Sequence, residues 1–281
     1  MILPIILDAC TILNLLRIDD EDEFLFKKLR ALNIHICKSV YNEAYKNIGK
    51  EGFDEEQKEY IHTQMPLLAE YIKNPSADFE KQYSKEIKRF CNYSKDNGEF
   101  YSTLLSLYIC REEECRTFFY TDDVPARETF ANYFTFQQIG SIGDSVDLLL
   151  FLYWVNADFK LSQLKRYFKA LYLSYSRPFK QLLDKIRENK EEWISNRLKD
   201  PKFIQNIDLL EEGLNSIDLH SIQDAVYFFS SNKKKYREIS TLVETYPIIE
   251  SKAGTAQKLH YIMTVAKDYT IYTKQNVKNR H

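Results

Sequence analysis

The chain opens with an apolar run that ends in an acid. Residues 2–7 read Ile-Leu-Pro-Ile-Ile-Leu, and Asp8 follows them directly. A short, continuous apolar run is typical of a strand in a parallel sheet, because both faces of such a sheet are covered. The run therefore predicts a buried β-strand whose carboxyl end places Asp8 at the edge of a sheet.

Three later segments predict further strands, at residues 33–37, 116–120 and 133–138, with helical periods between them. Only 7 Gly and 7 Pro occur in 281 residues, so the chain is poor in turns and favours long helices. Alternating strands and helices indicate a parallel α/β sheet flanked by helices.

From Ser141 onward the sequence shows only helical periods, and the last predicted helix covers residues 254–272. We therefore expect a C-terminal all-helical extension beyond the sheet. We place the α/β domain at residues 1–173 and the helical extension at 174–281. The predicted break, near residues 174–178, separates a helix over 161–174 from a helix over 178–199.

Acidic residues stand at one topological position in this scheme. Asp8 ends the first predicted strand, and Asp122 and Asp123 end a later one; Glu43 and Glu99 lie near the starts of helices. Ligands of open parallel sheets bind in the crevice outside the carboxyl ends of the strands. Several carboxylates gathered there repel one another unless cations neutralise them, and Mg²⁺ or Mn²⁺ suits such oxygen ligands.

Four motifs in order resemble those of the PIN-domain nucleases over about residues 1–173. They are residues 5–16 (IILDACTILNLL), 38–44 (KSVYNEA), 96–105 (DNGEFYSTLL) and 118–127 (FFYTDDVPAR). Residues 141–149 (SIGDSVDLL) are similar to the family's closing strand-to-helix step. The long segment between residues 50 and 95 and the tail after residue 173 depart from the commonest form of the family.

The resemblance implies a PIN-like fold and Mg²⁺- or Mn²⁺-dependent cleavage of single-stranded RNA, or less often DNA. Carried over by position, Asp8 is the central metal ligand, with Glu99 and one of Asp122 and Asp123 beside it. Glu43 is the family's second acid. Many members of the family are toxins paired with an antitoxin, so the resemblance also implies a toxin or defence role and a cognate protein partner.

Each acid also has a purely structural interpretation. Asp8 and the Asp122–Asp123 pair can cap helices, and Glu43 and Glu99 can interact with helix dipoles or complete capping boxes. We interpret Asp144 as a helix cap. Thr11 and Asn14 are candidates for orienting a ligand, although Asn14 is equally suited to a solvated or capping position.

The net charge of −2 hides an asymmetry between the two halves of the chain. Residues 1–150 carry 17 basic and 26 acidic side chains, whereas residues 151–281 carry 22 and 15. A basic half beside an acidic half suggests a polyanion at one and metal ions at the other. Lys233, Lys234, Lys235 and Arg237 are the candidate nucleic-acid contacts, with an ordinary solvated face as the alternative.

The composition indicates a folded chain of the cytoplasm. Aromatic residues make up 14%, and the five cysteines show no C-x-x-C spacing, as expected for reduced thiols. The N-terminal apolar run is too short for a signal peptide. The residues at 146–155 are apolar but well short of a membrane span, so we expect no membrane association.

These observations together predict a metal-dependent endonuclease acting on single-stranded RNA. Two alternatives stay open: a PIN-like nuclease acting on DNA, and a non-catalytic module of the same fold that binds RNA or a protein partner. Assembly into a homo-oligomer is a further expectation that the sequence leaves open.

Overall fold

The computed structural model describes residues 3–19, 24–49, 53–246 and 250–264. The chain divides into two compact units, Met1–Tyr167 and Phe168–His281. The division falls within one long helix, Leu161–Ser195, and the boundary predicted from sequence, between residues 173 and 174, lies in the same helix.

The described residues are mostly helical, with four short strands. In chain order the elements are β1 (Ile5–Leu7), α1 (Ala9–Ile18), α2 (Phe24–Arg30), β2 (Ile34–His35), α3 (Lys38–Asn47), α4 (Glu55–Gln64), a 3₁₀ helix (Met65–Tyr71), α5 (Ala77–Phe90), α6 (Gly98–Glu112), β3 (Thr117–Tyr120), α7 (Val124–Phe136), β4 (Gly140–Gly143), α8 (Ser145–Val155), α9 (Leu161–Ser195), α10 (Pro201–Ser216), α11 (Leu219–Ser231), α12 (Arg237–Thr245) and α13 (Glu250–Thr264).

The four strands form one parallel sheet in the order β2-β1-β3-β4. Ile5 pairs with Ile34 on one side and with Phe118 on the other, and Thr117 pairs with Gly140. Parallel neighbours require crossover connections, which the helices between the strands provide. The predicted α/β class is confirmed at this level: a small parallel sheet surrounded by helices.

The apolar run at the N-terminus forms the centre of this sheet. Ile5, Ile6 and Leu7 are all at most 1% exposed, as expected for a strand covered on both faces. Helices α6 and α8 contribute fully buried side chains such as Leu104 and Leu148 to the same unit. Burying β1 in this way fixes the position of Asp8, because the strand ends at Leu7.

The second unit is helical throughout its described residues. Helices α10 and α11 follow one another closely along the chain and pack together. Phe203, Phe229 and Tyr236 are buried in a mutual ring cluster, with centroid separations of 5.4–6.0 Å. Edge-to-face and tilted ring pairs at this spacing are favourable beyond the area that they bury.

The strand predicted at residues 133–138 is wrong. Helix α7 continues to Phe136, and the fourth strand lies after it, at Gly140–Gly143. The aromatic run misled the prediction because aromatic residues favour strands. Phe130, Tyr133 and Phe134 are buried at helical spacing, so the burial period of the segment is that of a helix.

The break predicted near residues 174–178 is also wrong, because α9 runs without interruption through Pro178. Proline lacks a backbone N–H and removes one helical hydrogen bond. The buried stripe continues across it, however, through Tyr175, Phe179 and Leu182. Packing of this stripe outweighs the local cost of the proline.

Parts of three predicted segments lie outside the described residues. They are residue 2 of the first strand, residues 21–23 of a helix predicted over 21–30, and residues 265–272 of the last predicted helix. Within the described residues, no helix combines the length and the apolar character that a membrane span requires.

Gly140 begins β4 in a conformation that only glycine adopts easily, with φ +151°. A Cβ atom there would lie 1.9 Å from the carbonyl oxygen of Thr117, which is its partner in β3. We therefore expect Gly140→Ala to lower the free energy of unfolding by about 2–4 kcal/mol, measured by urea denaturation.

Gly49→Ala is the matched control, because nothing lies within 4 Å of a Cβ at Gly49. Its stability should stay within about 0.5 kcal/mol of the parent, or rise slightly. Equal stabilities for the Gly140 variant and this control would contradict the β3–β4 pairing described above.

Candidate active site at the carboxyl edge of the sheet

The sheet has a topological switch point between β1 and β3. From β1 the chain continues to β2 on one side of the sheet, and from β3 it continues to β4 on the other. The crevice outside such a switch point is where open α/β sheets bind ligands. Asp8 follows β1 and Asp122 follows β3, so both acids stand at this crevice.

Asp8 is 3% exposed, and one of its oxygens is firmly held. Its Oδ2 accepts hydrogen bonds from the Thr121 hydroxyl at 2.9 Å and from the Cys10 thiol at 3.1 Å. Asp8 occupies the N-cap position of α1, yet its side chain makes no capping hydrogen bond. The other oxygen, Oδ1, faces Gly98, so the carboxylate is oriented toward the start of α6.

Gly98 is the point where two acids meet. A Cβ atom on Gly98 would lie 2.9 Å from Oε2 of Glu43 and 3.3 Å from Oδ1 of Asp8. The Gly98 backbone donates a hydrogen bond to Glu43, which favours its charged form, while burial and the neighbouring Asp8 raise the Glu43 pKa. Glu43 lies in the second turn of α3, so it does not interact with the start of that helix.

Glu99 follows Gly98 and completes the group. Its Oε2 is buried and has no hydrogen-bond partner. Burial raises the Glu99 pKa to about 7, with further contributions from the charges of Asp8, Glu43 and Asp123. An acid with a pKa near neutrality can hold or release a proton under physiological conditions. Such a perturbed group in a crevice is typical of functional sites.

The two adjacent aspartates have different surroundings. Asp122 is 3% exposed and accepts hydrogen bonds at 2.8 Å from the Asn14 amide and from the Ser145 backbone N–H, and another from the Ser145 hydroxyl. It therefore joins the end of β3 to helices α1 and α8. Its carboxylate is occupied by these contacts.

Asp123 instead affects the other acids through its charge. It caps α7 with one oxygen, which accepts the Ala126 N–H at 3.2 Å. Its charge raises the pKa values of both Asp8 and Glu99. Of the predicted pair, Asp123 thus belongs electrostatically with Asp8, Glu43 and Glu99; we call these four residues the acid cluster.

Several residues that support the acid cluster were not evident from sequence. Ser145, Cys10 and the orienting role of Thr121 give no motif signal, because each acts through hydrogen bonds that only the folded chain brings together. Asn14 was a candidate for orienting a ligand, and it binds Asp122 directly. Asp144 caps α8 in a capping box with Asp147, which confirms its predicted role.

The acid cluster offers oxygen donors of the type that Mg²⁺ and Mn²⁺ prefer. The unpartnered Oε2 of Glu99 and Oδ1 of Asp8, which lies near Gly98, are the atoms suited to a cation. Among the described residues, however, no group of three or more His, Cys, Asp or Glu side chains has the spacing of a metal site. A metal at the acid cluster therefore belongs to the proposal below.

The predicted nucleic-acid contacts in the second unit lie in the turn between α11 and α12 and at the first residue of α12. Lys233 forms an ion pair with Glu244 and Lys235 with Asp200, both at 2.6 Å. Two of the four predicted contacts are thus neutralised locally, which reduces the charge they offer to phosphate. Lys234 and Arg237 are exposed.

Crowding of the acid cluster predicts a pH-dependent loss of stability. The Glu99 pKa is raised from 4.5 to about 7, so the stability linked to its protonated form is fully present below about pH 4.5 and lost as pH rises through 7. The stability advantage of Glu99→Gln over the parent should therefore grow as pH rises from about 4.5, and it should be largest above about pH 7. Because Glu99 is partly exposed, solvent screening reduces the expected gain to about 1–2 kcal/mol.

Urea denaturation in a chelator, at several pH values between about 4 and 8, measures this difference. Glu128→Gln, on the exposed side of α7, is the matched control and should show a difference that does not change with pH. A difference for Glu99→Gln that is equally flat would show that Glu99 is not under the repulsion described.

No family model, curated protein or solved structure matches the chain. The assignment of function therefore depends on the geometry of the acid cluster and on the resemblance of the sequence motifs. Both concern the same residues, at the carboxyl edge of the same sheet.

Proposed function

We propose that the chain is a metal-dependent endonuclease of the PIN-domain type that hydrolyses phosphodiester bonds in single-stranded RNA. The observation that carries the proposal is the meeting of Asp8, Glu43 and Glu99 around Gly98, with Asp123 electrostatically coupled to them. These acids come from separate segments of the sequence. Their convergence at a switch point is not needed to stabilise the fold, because burial and like charges work against it.

The donor set indicates which residues would hold the cofactor. Asp8, Glu99 and Asp123 would bind Mg²⁺ or Mn²⁺, with Glu43 beside them, and Asp122 would hold the edge in place. A divalent cation, when bound, supplies Lewis-acid activation of water and phosphate and neutralises developing negative charge. Burial, and after it the neighbouring negative charge that such a cation would offset, raises the pKa values of Asp8, Glu43 and Glu99.

The protein's own groups then have distinct tasks. Thr121 and Cys10 hold Oδ2 of Asp8, so that Oδ1 keeps its direction toward Gly98. Gly98 leaves the space in which Glu43 approaches. Glu99, whose Oε2 has no hydrogen-bond partner, would hold the cation from the residue next to Gly98. Burial of the cluster strengthens each of these electrostatic interactions.

The biological setting is part of the proposal and follows from the resemblance alone. It is a toxin or defence effector of the cytoplasm, controlled by a cognate protein partner. DNA as substrate, and a non-catalytic binding module, are the two alternatives. A cleavage assay on matched RNA and DNA separates all three outcomes.

We expect the purified chain to cleave labelled single-stranded RNA with Mg²⁺ or Mn²⁺, to lose activity in excess chelator, and not to be supported by Ca²⁺, whose coordination is larger and looser. Asp8→Asn should reduce the rate by at least about 1,000-fold, since it removes the central ligand. Its thermal midpoint should be unchanged or raised, because one of several crowded charges is gone.

Asp144→Asn is a matched control at the same sheet edge, because Asp144 caps α8 and is not in the acid cluster. It should keep both activity and stability, because Asn caps a helix about as well as Asp. Cleavage that persists in excess chelator would refute a metal mechanism. An Asp8→Asn variant that unfolds would instead show that Asp8 is mainly structural.

The space at Gly98 gives a second test. A methyl group there would displace Oε2 of Glu43, which lies 2.9 Å from its position. We expect Gly98→Ala to reduce the cleavage rate by roughly 100-fold, as misplacements of about 1 Å can do. Stability should change little, because alanine favours the helix and offsets part of the clash. Gly49→Ala serves as the control with unchanged activity; equal rates for both variants would exclude Glu43 from the reaction.

A further inference from the structure

Helix α3 has three distinct sides. Val40, Ala44 and Ile48, on the first side, are fully buried and anchor the helix in the core. Glu43 projects from one flank toward Gly98 in α6. At 3.6 residues per turn, Tyr41 and Tyr45 lie on the opposite flank. The helix that presents Glu43 to the acid cluster therefore presents two tyrosines on its opposite flank.

These tyrosines form an aromatic surface with the neighbouring α4. The rings of Tyr41 and Tyr45 are stacked, with centroids 6.5 Å apart and an interplanar angle of 26°. The His62 ring meets Tyr45 edge to face at 5.5 Å. Tyr45 is 47% exposed although it is held by a ring on either side. We call Tyr41, Tyr45 and His62 the tyrosine platform.

The tyrosine platform borders an open concavity of about 420 Å³. Its lining residues are Tyr41, Asn42, Tyr45, Lys46 and Pro66, and none of them is acidic. Lys46 and Asn42 are exposed on the outward side of α3, between the platform and Glu43. The surface thus combines aromatic faces, an amide and a cation on the side of α3 opposite to Glu43, one helix diameter, or about 10–12 Å, across the helix.

We propose that the tyrosine platform binds bases of a single-stranded nucleic acid next to the phosphate held at the acid cluster. The inference rests on the proposed function and adds a substrate-positioning subsite to it. Bases stack on exposed aromatic faces, and this favours single strands, whose bases are free to leave the helical stack. Lys46 offers a positive charge to the backbone between the two sites.

The charge pattern favours nucleic acid over a protein partner as the occupant. A nucleic-acid strand carries negative charge at every step and aromatic bases between the charges. The concavity is complementary in composition, because both tyrosine rings and Lys46 line it. Its position on α3 also places a bound base on the side of the helix away from the carboxylates. The carboxylates themselves would repel phosphate.

The test uses the full chain carrying Asp8→Asn, which binds without cleaving, and a fluorescein-labelled decamer of oligouridylate. Fluorescence anisotropy measures the dissociation constant. Replacing both Tyr41 and Tyr45 with Leu should weaken binding roughly 10-fold or more, while replacing both with Phe should retain it, since the ring face and not the hydroxyl makes the contact. A decamer of abasic sugar-phosphate should bind the parent and the Leu variant equally.

Tyr227→Leu is the matched control, because Tyr227 is exposed on a helix of the second unit and should not affect affinity. Unchanged oligouridylate affinity in the Tyr41/Tyr45 Leu variant would overturn the proposal and leave a protein partner as the occupant of the surface. An abasic decamer that loses affinity to the same extent would also overturn it, because the contact would then be to the backbone.

The two proposals fail separately. Ring-dependent binding by a chain that does not cleave RNA with Mg²⁺ or Mn²⁺ supports the tyrosine platform and refutes the nuclease. Cleavage that continues while binding is insensitive to both rings supports the nuclease and refutes the platform.

Discussion

The architecture of the acidic edge depends on one buried carboxylate, that of Asp122. It accepts hydrogen bonds from Asn14 on α1 and from the backbone and hydroxyl of Ser145 at the start of α8. A buried charge is tolerated only when its oxygens are satisfied in this way. Helices α1 and α8 are thereby fixed at the end of β3, although all three segments are remote in sequence. The direction in which Asp8 and Asp123 leave the sheet follows from that fixation.

The acid cluster itself opposes folding. Burial and mutual repulsion raise the pKa values of Asp8, Glu43 and Glu99. Ionisation of each of these side chains therefore lowers the free energy of unfolding of the protein. The chain retains this unfavourable group beside β1, the fully buried central strand of the sheet. Natural proteins concentrate such local conflict at functional sites, because chemistry requires groups that stability alone would exclude.

The sequence predicted the parts of this structure that depend on local pattern. The apolar run before Asp8 and the acids at successive strand ends indicated a parallel sheet and one acidic edge, since strand ends in such a sheet share a side. Periodicity alone placed the last strand at residues 133–138 instead of Gly140–Gly143, because the aromatic period near Tyr133 fits a strand and a helix equally well. Nor did it reveal the hydrogen bonds of Ser145 and Cys10, because neither side chain has a distinctive spacing. Ser145 donates to Asp122, 23 residues away, and Cys10 accepts from the Asp122 backbone N–H, 112 residues away.

Gly98 and Glu99 are consecutive residues, so a single peptide unit sets the positions of two carboxylates, those of Glu43 and Glu99. The first residue admits Glu43, and the second supplies its own carboxylate. Any change in the length of the loop at residues 94–97 would move both carboxylates together. The length of this loop therefore sets the geometry of the acid cluster. Insertions that most surface loops tolerate would therefore disrupt the acid cluster at this one.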